Sequence, residues 1–378
     1  MKKHLPTIIR GAIIYLLIVF IAVFAVLKQY PEVSEAITRG PSRGYTFIMS
    51  KITSIIPISL TEVLFVLLAV GIIILLVLLI ICLTKKKFIA AIHRFLEGTA
   101  IILLSISLYE LSCECAYNRE KLPLPYYEKQ IVRTEHIPIY NYYVDDVNTC
   151  IDALEFEENG EVKNKMSLEE LTEEIKKAYA IIEGNDYYHA HYGNVKPMAS
   201  SFIYREFQIT GVTYSPLSEA NINILNTNTN LPLTIAHELA HTKGVMREDD
   251  ANQLAFYICL NSNHPYLRYS VYCSYFYQLS AMVTDYYLTK EEMNDLHKFN
   301  QILNKSRGYV YDYWTKHDLL GDIGDFFNDL YIKMSGVKEG TNSYNGGTEY
   351  EHDPTTSQLI PSLYQKLFFE KYYRLKSI

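Results

Sequence analysis

Residues 63 to 83, "VLFVLLAVGIIILLVLLIICL", carry no charged residue. A helix of about 20 such residues spans a hydrocarbon core of about 30 Å. "GAIIYLLIVFIAVFAVL", residues 11 to 27, has the same character. "GTAIILLSISLYEL", from Gly98, reaches spanning length only if its helix begins near Phe88 and ends near Cys113. The sequence predicts three spans, at about 7–27, 61–83 and 92–113, although a buried or interfacial helix is an alternative for the third.

Basic residues predict the orientation of these spans, because cytoplasmic loops are enriched in Lys and Arg. They precede the first span and fill the short loop before the third, at Lys2, Lys3, Arg10, Lys85, Lys86, Lys87 and Arg94. No small-residue cleavage site follows the first apolar run, which is therefore interpreted as a retained anchor. The prediction is a multi-pass protein of the cytoplasmic membrane with a cytoplasmic amino terminus. Everything after the third span then lies outside, and loss of that span would invert this part.

Net charge and cysteine content bear on the predicted class of the chain after the spans. The 378 residues divide into a membrane region, 1–117, and a predicted domain, 118–378. The net charge of −7 gives no reason to expect a nucleic acid partner. No CxxC pair is present, and the sequence leaves open a disulfide between two of Cys150, Cys259 and Cys273. The fold class is predicted to be mainly α, with the three transmembrane helices followed by a mostly helical α+β domain with a small β element.

Local signals place several elements of this domain. Residues 166 to 184 predict a helix that begins with a capping box of Ser167 and Glu170 and stops at Gly184. "ASSFIYREFQITGVTYSP", residues 199 to 216, contains two short β-prone runs with Gly211 between them. Residues 219 to 232 are expected to be extended.

The chemistry is concentrated in "NLPLTIAHELAHTKG", residues 230 to 244. Asn230 is expected to cap a helix and Gly244 to end it. His237 and His241 are four residues apart, so that both rings lie on one helix face and can bind one ion. Glu238 lies beside the first histidine, where its carboxylate can act as a general base on a water molecule. The alternative is an amphipathic helix with two hydrogen-bonded histidines that bind no metal.

A third ligand is expected in "REDDAN", residues 247 to 252. If a second helix begins near Glu248, this residue shares a face with Ala251 and Asn252. Glu248 is therefore the predicted ligand, and Asp249 or Asp250 is the alternative. Acidic residues also suit the first turn of a helix without any metal. Asn252 is predicted to hydrogen-bond a ligand histidine.

HExxH on a helix resembles the zincin metallopeptidases. Arg247 stands where the metzincin pattern has a third histidine, whereas Glu248-x-x-Ala251-Asn252 looks like the ExxAD element of glutamate-type zincins. The whole chain resembles a family of uncharacterised bacterial membrane proteins with three membrane helices followed by an HExxH domain of unknown function. The segments that carry this likeness are 215–223, 237–244, 247–259, 264–272 and 328–344. The resemblance implies a zinc peptidase without naming a substrate, and this family typically has glutamate at the position of Asp250.

Several other residues are candidates for supporting roles. His189 and His191 would share one side of a strand, but surface histidines in a loop are the preferred interpretation. Glu219 either pairs with a ligand or substrate or anchors a turn. A zincin also needs a donor for the oxyanion. The segments that resemble the family offer Tyr269, Tyr344, Arg247 and Arg268 for this role or for contacting substrate.

The functional prediction is a membrane-anchored metallopeptidase that binds one Zn²⁺ per chain, with a peptide or protein as substrate and the lipid bilayer as its surroundings. The alternative is a non-catalytic membrane sensor or assembly factor that zinc stabilises. Its motivation is the unusual spacing of the third ligand.

Overall fold

The computed structural model describes residues 5–282, 289–335, 337–352 and 359–377. Its helices confirm a mainly α fold with a small β element. In the described residues the α-helices are α1 Leu5–Leu27, α2 Pro31–Ile37, α3 Arg43–Thr53, α4 Leu60–Thr84, α5 Phe88–Ser112, α6 Arg133–Asp152, α7 Leu168–Ala178, α8 Ser201–Glu206, α9 Leu231–Thr242, α10 Glu248–Leu260, α11 Pro265–Ser274, α12 Phe276–Ser280, α13 Lys290–Asn294, α14 Gln301–Lys316, α15 Gly321–Met334 and α16 Leu363–Lys376.

Three of these helices, α1, α4 and α5, are long and apolar enough to cross a membrane. The third predicted span is a full-length helix, because α5 begins at Phe88 and includes the polar turns before the apolar run. Arg10 of α1 contacts Glu97 of α5 at 2.6 Å at one end of the group. Lys28, just after α1, contacts Glu114, just after α5, at 2.5 Å at the other end. The arrangement is consistent with association with a lipid bilayer, and the orientation stays a prediction.

A three-stranded sheet lies at the second of these ends. Its order is β1 Asn194–Pro197, β3 Glu219–Ile222 and β2 Gly211–Tyr214. The outer strand β1 runs parallel to β3, and β2 runs antiparallel to it. A second pair, β4 Glu351–His352 and β5 Leu359–Ile360, is antiparallel. Because β2 is an edge strand, the backbone groups on its outer edge are not paired with another strand of this sheet.

The connection between the first two spans is folded rather than a simple loop. Its helices α2 and α3 are separated by one π-helical turn, Thr38–Ser42. The Tyr45 hydroxyl donates to the Pro216 carbonyl at 2.9 Å. The Lys196 ammonium on β1 donates to the carbonyls of Thr53 and Ile56 at 2.9 and 2.6 Å. These contacts attach the connection between the first two candidate spans to the sheet and to the turn between β2 and β3.

Most local predictions agree with the structure, but some do not. The predicted extended stretch 219–232 is a strand only at Glu219–Ile222, and turns follow until α9 begins at Leu231. The capping box of Ser167 and Glu170 is present at α7, and Gly184 follows with a positive φ of 83°. The first β-prone run is wrong, since residues 201–206 form the helix α8. Its amino-terminal N–H groups at Ala199 and Ser200 donate to the Glu62 carboxylate of α4, at 2.7 and 3.0 Å. This long-range contact satisfies the first turn of the helix and outweighs local β propensity.

The hydrophobic core surrounds α9 and α10. Leu239 and Leu254 are completely buried, one on each helix. The Tyr179 hydroxyl donates to the Ala236 carbonyl at 2.6 Å inside this core. All six cysteines are free, so no disulfide joins any two of Cys150, Cys259 and Cys273. The core therefore holds the HExxH helix rigidly from behind.

Candidate metal centre

The helix α9 presents the two histidines as the sequence predicts, but its amino terminus differs. Asn230 has helical backbone angles and its side chain makes no capping hydrogen bond, so the predicted Asn230 cap is wrong. The Leu231 N–H instead donates to the Thr227 carbonyl at 3.1 Å. At the other end Gly244 has a φ of +82°, and a Cβ there would lie 2.8 Å from the His189 ring. Both the backbone conformation and the space therefore require glycine at this turn.

Three side chains converge where α9 meets α10. The Nε2 atoms of His237 and His241 are 3.1 Å apart. The Glu248 Oε2 atom lies 3.1 Å from the first nitrogen and 3.5 Å from the second. Three atoms at these separations lie on a circle of about 1.9 Å radius, so one ion at the usual zinc distance of about 2.0–2.1 Å can touch all of them. The spacing fits one small divalent cation.

A hydrogen bond outside the cluster makes the inner nitrogen of His241 an acceptor. The other ring nitrogen of His241, Nδ1, lies 2.8 Å from the Val245 carbonyl, which can only accept. A neutral His241 therefore carries its proton on Nδ1 and turns a lone pair toward the cluster. Glu248 Oε2 is buried and receives no hydrogen bond from the described residues. Acceptor atoms that face one another need a cation or a proton between them, so the donor set suits a metal.

Electrostatics at the cluster follow from the same contacts. Burial alone would lower the pKa of His241, but the Glu248 carboxylate opposes it and raises that pKa to about 9. Burial disfavours the charged form of Glu248, yet the two histidines outweigh it and the pKa of Glu248 is lowered. Burial raises the pKa of Glu238. The cluster therefore stabilises one positive charge between the rings and the carboxylate.

Glu238 lies against the edge strand β2. The Thr213 hydroxyl donates to Glu238 Oε2 at 2.7 Å. A Cβ at Gly211 would lie 2.6 Å from Glu238 Oε1 and 2.7 Å from its Cγ. Glycine at this strand position makes room for the carboxylate, and the threonine orients it. The sequence placed Gly211 between two runs but gave no sign of this contact.

A cavity of about 320 Å³ opens over the cluster. Its lining combines strand β2, the ends of two candidate spans and the carboxyl-terminal part of the chain: Phe65, Tyr109, Tyr117, Gly211, Val212, Thr213, Tyr214, His237, Glu238, His241, Met246, Glu248, Asn328, Tyr331 and Tyr344. The Tyr117 and Tyr331 hydroxyls are 3.1 Å apart. Burial, and then the Glu248 carboxylate, raise the pKa of Tyr344 well above its usual range. Neutral hydroxyl groups therefore surround the cluster.

Of the oxyanion and substrate candidates, Tyr344 lies in this cavity and the others lie elsewhere. Arg247 precedes α10 and pairs with Asp249 at 2.9 Å. Tyr269 is completely buried, and its hydroxyl lies 2.6 Å from Ser306 Oγ. Arg268 pairs with Asp146 at 3.2 Å. Local spacing gave no signal for Tyr109, Tyr117 or Tyr331, because they approach the cluster only through long-range packing.

The remaining predicted site residues have other partners. The cluster does not include the alternatives Asp249 and Asp250 among the described residues. The side-chain amide of Asn252 donates to the Tyr344 carbonyl at 3.2 Å, rather than supporting a ligand histidine. Glu219 is completely buried and its carboxylate accepts from Lys196 at 2.7 Å and from the Thr61 N–H at 2.9 Å. It anchors the start of α4 instead of approaching the cluster.

His189 and His191 lie in a loop as predicted, but His189 is not a surface residue and His191 is only partly exposed. Their rings stack at 5.3 Å between centroids in a loop. His189 is buried, and its Nε2 lies 3.2 Å from the Thr38 carbonyl of the folded connection. Burial lowers the pKa of His189 to about 3. This ring is a neutral packing group.

The fold and site together define a mainly helical protein with three candidate membrane spans and a His-His-Glu cluster on two packed helices. The chain belongs to the family described as "Protein of unknown function (DUF3810)", whose model matches residues 42–350. The match begins before α3 and includes α4, α5, the sheet and every residue of the cluster. No curated protein matches the chain, and no solved structure does.

Proposed function

We propose that this chain is a membrane-anchored zinc-dependent metallopeptidase. The observation that carries the proposal is the convergence of His237, His241 and Glu248 on one point, with the buried Glu238 carboxylate beside it. Two histidines and a carboxylate, with a fourth position open to a cavity, form the donor set of catalytic zinc sites. Zinc held there would supply a Lewis acid that polarises a carbonyl group and lowers the pKa of water.

The chain's own residues have separate roles in this proposal. Glu238 accepts a proton from the attacking water and returns it to the leaving amine. Its raised pKa brings the carboxylate closer to the range in which it can do both. Thr213 donates to the Glu238 carboxylate and so holds it in one orientation for both proton transfers. The Tyr344 hydroxyl lines the same cavity and is the proposed donor to the oxyanion.

The unpaired edge of strand β2 is the reason to propose a polypeptide as the substrate. Gly211, Val212, Thr213 and Tyr214 all line the cavity, and β2 is paired with β3 on its other side. An extended peptide can add to such an edge by main-chain hydrogen bonds. This would hold a peptide bond beside Glu238 without any requirement for a particular side chain.

The proposal is tested by profiling new protein amino termini in membranes from cells that express either the wild-type chain or Glu238→Gln. The isosteric variant removes the proposed base and leaves the three ligands in place. We expect termini that depend on the wild-type chain and disappear with the variant, while the zinc content of both purified proteins is equal. Identical termini with equal zinc and equal cellular function would contradict the peptidase and favour the alternative, a zinc-stabilised sensor or assembly factor.

A further inference from the structure

The helix α15 exposes a continuous apolar stripe. Its members repeat at spacings of three and four along the helix, which places them on one face. They are Ile323, Phe326, Phe327, Leu330 and Met334. Phe326 is 64% exposed and Met334 is 74% exposed. The opposite face carries Gly321, Gly324 and Ile332, which are buried against the rest of the chain. So many large apolar side chains on one exposed helix face indicate an interaction surface.

Contacts fix α15 beside the end of a candidate span. The Tyr331 hydroxyl contacts the Tyr109 hydroxyl of α5 and lies 3.1 Å from the Tyr117 hydroxyl. Tyr109 is three residues before the end of α5, or about 4.5 Å along its axis. Tyrosine at the end of a span is typical of the interface between hydrocarbon and headgroups. The stripe on α15 therefore lies close to the predicted bilayer boundary.

A second exposed apolar pair lies at the end of the neighbouring span. Phe202 and Ile203 of α8 are exposed. Glu62, in the first turn of α4, accepts from the Ser200 N–H just before α8 at 3.0 Å. The end of α8 contacts α15, because a Cβ at Gly324 of α15 would lie 2.7 Å from the carbonyl oxygen of Phe207, the residue after α8. The apolar surfaces of α8 and α15 thus border the same end of the span group.

We propose that α15 is an interfacial membrane helix whose apolar stripe lies in the leaflet that contains the ends of α4 and α5. The occupant that fits this face is the lipid bilayer, since the stripe lies near the ends of α4 and α5, which are long and apolar enough to cross a membrane. Such helices bury their apolar face about 5–10 Å into the boundary between headgroups and acyl chains. The charged residues beside the stripe are mostly acidic: Asp322, Asp325 and the half-buried Asp329, with Lys333 as the one base among them. Binding therefore depends on apolar area and not on attraction to anionic lipids.

The placement has a consequence for the cavity over the His-His-Glu cluster. Phe65 of α4 and Tyr109 of α5 line it, and Phe327 lines its continuation between α8 and α15. If the stripe is in the leaflet, the cavity opens at the bilayer surface. Polypeptide segments that lie against the membrane would then enter it more readily than segments far from it.

The test places an environment-sensitive fluorophore at single positions of the full-length chain in phosphatidylcholine vesicles. The parent chain carries Cys82→Ser, since Cys82 is the one described cysteine that is not buried. Phe326→Cys and Met334→Cys report the stripe, and Asp322→Cys and Asp325→Cys are matched exposed controls on the same helix. We expect quenching by nitroxide-labelled lipid to be at least about twofold stronger at the stripe positions than at the controls. Quenching by iodide should be stronger at the controls. The quenching by labelled lipid should change little with salt concentration.

Two results would overturn the proposal. Equal iodide quenching at the stripe and control positions would show that the stripe faces water. Protection from iodide without quenching by labelled lipid would show that a protein surface covers it. Because the substituted residues are exposed, each labelled chain is expected to fold, and its helical circular dichroism should equal that of the parent. None of these readouts depends on peptidase activity.

Discussion

Replacing Glu248 by glutamine should weaken zinc binding more than any other single change of a carboxylate on α10. Its Oε2 atom lies 3.1 and 3.5 Å from the two ring nitrogens, which makes it the third donor of the cluster. Loss of a residue that only supports a ligand costs about 10–100-fold in metal affinity. Loss of the ligand itself should exceed about 100-fold, or about 2.8 kcal/mol of binding free energy. Competition with a fluorescent zinc chelator, on the full chain in detergent micelles near neutral pH, measures this affinity.

The neighbouring acids on the same helix turn provide matched controls. Asp249→Asn and Asp250→Asn make the same isosteric change, although burial raises the pKa of Asp250 to about 7, so that Asp249→Asn is the better match in charge. Asp249 pairs with Arg247 and neither aspartate belongs to the cluster, so both variants should stay within a few-fold of the wild-type affinity. Zinc binding by Glu248→Gln equal to wild type, or an equal loss in either control, would refute the assignment of Glu248 as the ligand.

Three further predictions test the surroundings of the cluster. Gly211→Ala should slow cleavage of a peptide found by terminus profiling by about 100-fold at unchanged zinc content. The added Cβ would lie 2.6 Å from Glu238 Oε1 and displace that carboxylate, and a misplacement of about 1 Å has an effect of this size. Gly308→Ala is the control and should be neutral, since no atom lies within 4 Å of its added Cβ. His189 has a pKa of about 3 when folded and 6.5 as its ordinary value, so the unfolded chain binds the extra proton between these values. The free energy of unfolding from denaturant titrations should therefore fall by about 1.4 kcal/mol per pH unit as pH decreases below about 6.5, and His189→Gln should remove this part of the slope. Glu219→Ala should lower the free energy of unfolding by about 3–5 kcal/mol, because it leaves a buried lysine unpaired, with zinc affinity unchanged; a loss of zinc in step with stability would contradict its role as an anchor.

The features that the sequence predicted are those with local causes. Uncharged runs of about 20 residues specify the spans, and the α7 helix follows from its own capping box. The four-residue spacing of His237 and His241 is a property of any helix, so their shared face needed no tertiary information. The start of α10 at Glu248 was similarly predictable from acidic residues in a first turn.

The features that the sequence missed depend on contacts between distant segments. Glutamate usually lies at the protein surface, yet Glu219 is buried because Lys196 and the start of α4 provide hydrogen bonds to its carboxylate. Asn252 reaches Tyr344, which is 92 residues later in the chain. Tyr331 approaches Tyr109 from 222 residues away, so that no periodicity could place both in one cavity. The connection between the first two spans also folds only because the sheet supplies its hydrogen-bond partners.

X-ray absorption at the zinc edge of the purified wild-type chain is the most direct test of the metal centre. We expect one zinc per chain with two imidazole nitrogens and a carboxylate oxygen, all at about 2.0–2.2 Å. The signal from imidazole should disappear when His237 and His241 are both replaced by alanine. A wild-type chain without bound zinc, or with zinc whose ligands include no imidazole, would contradict the proposed zinc site at His237, His241 and Glu248.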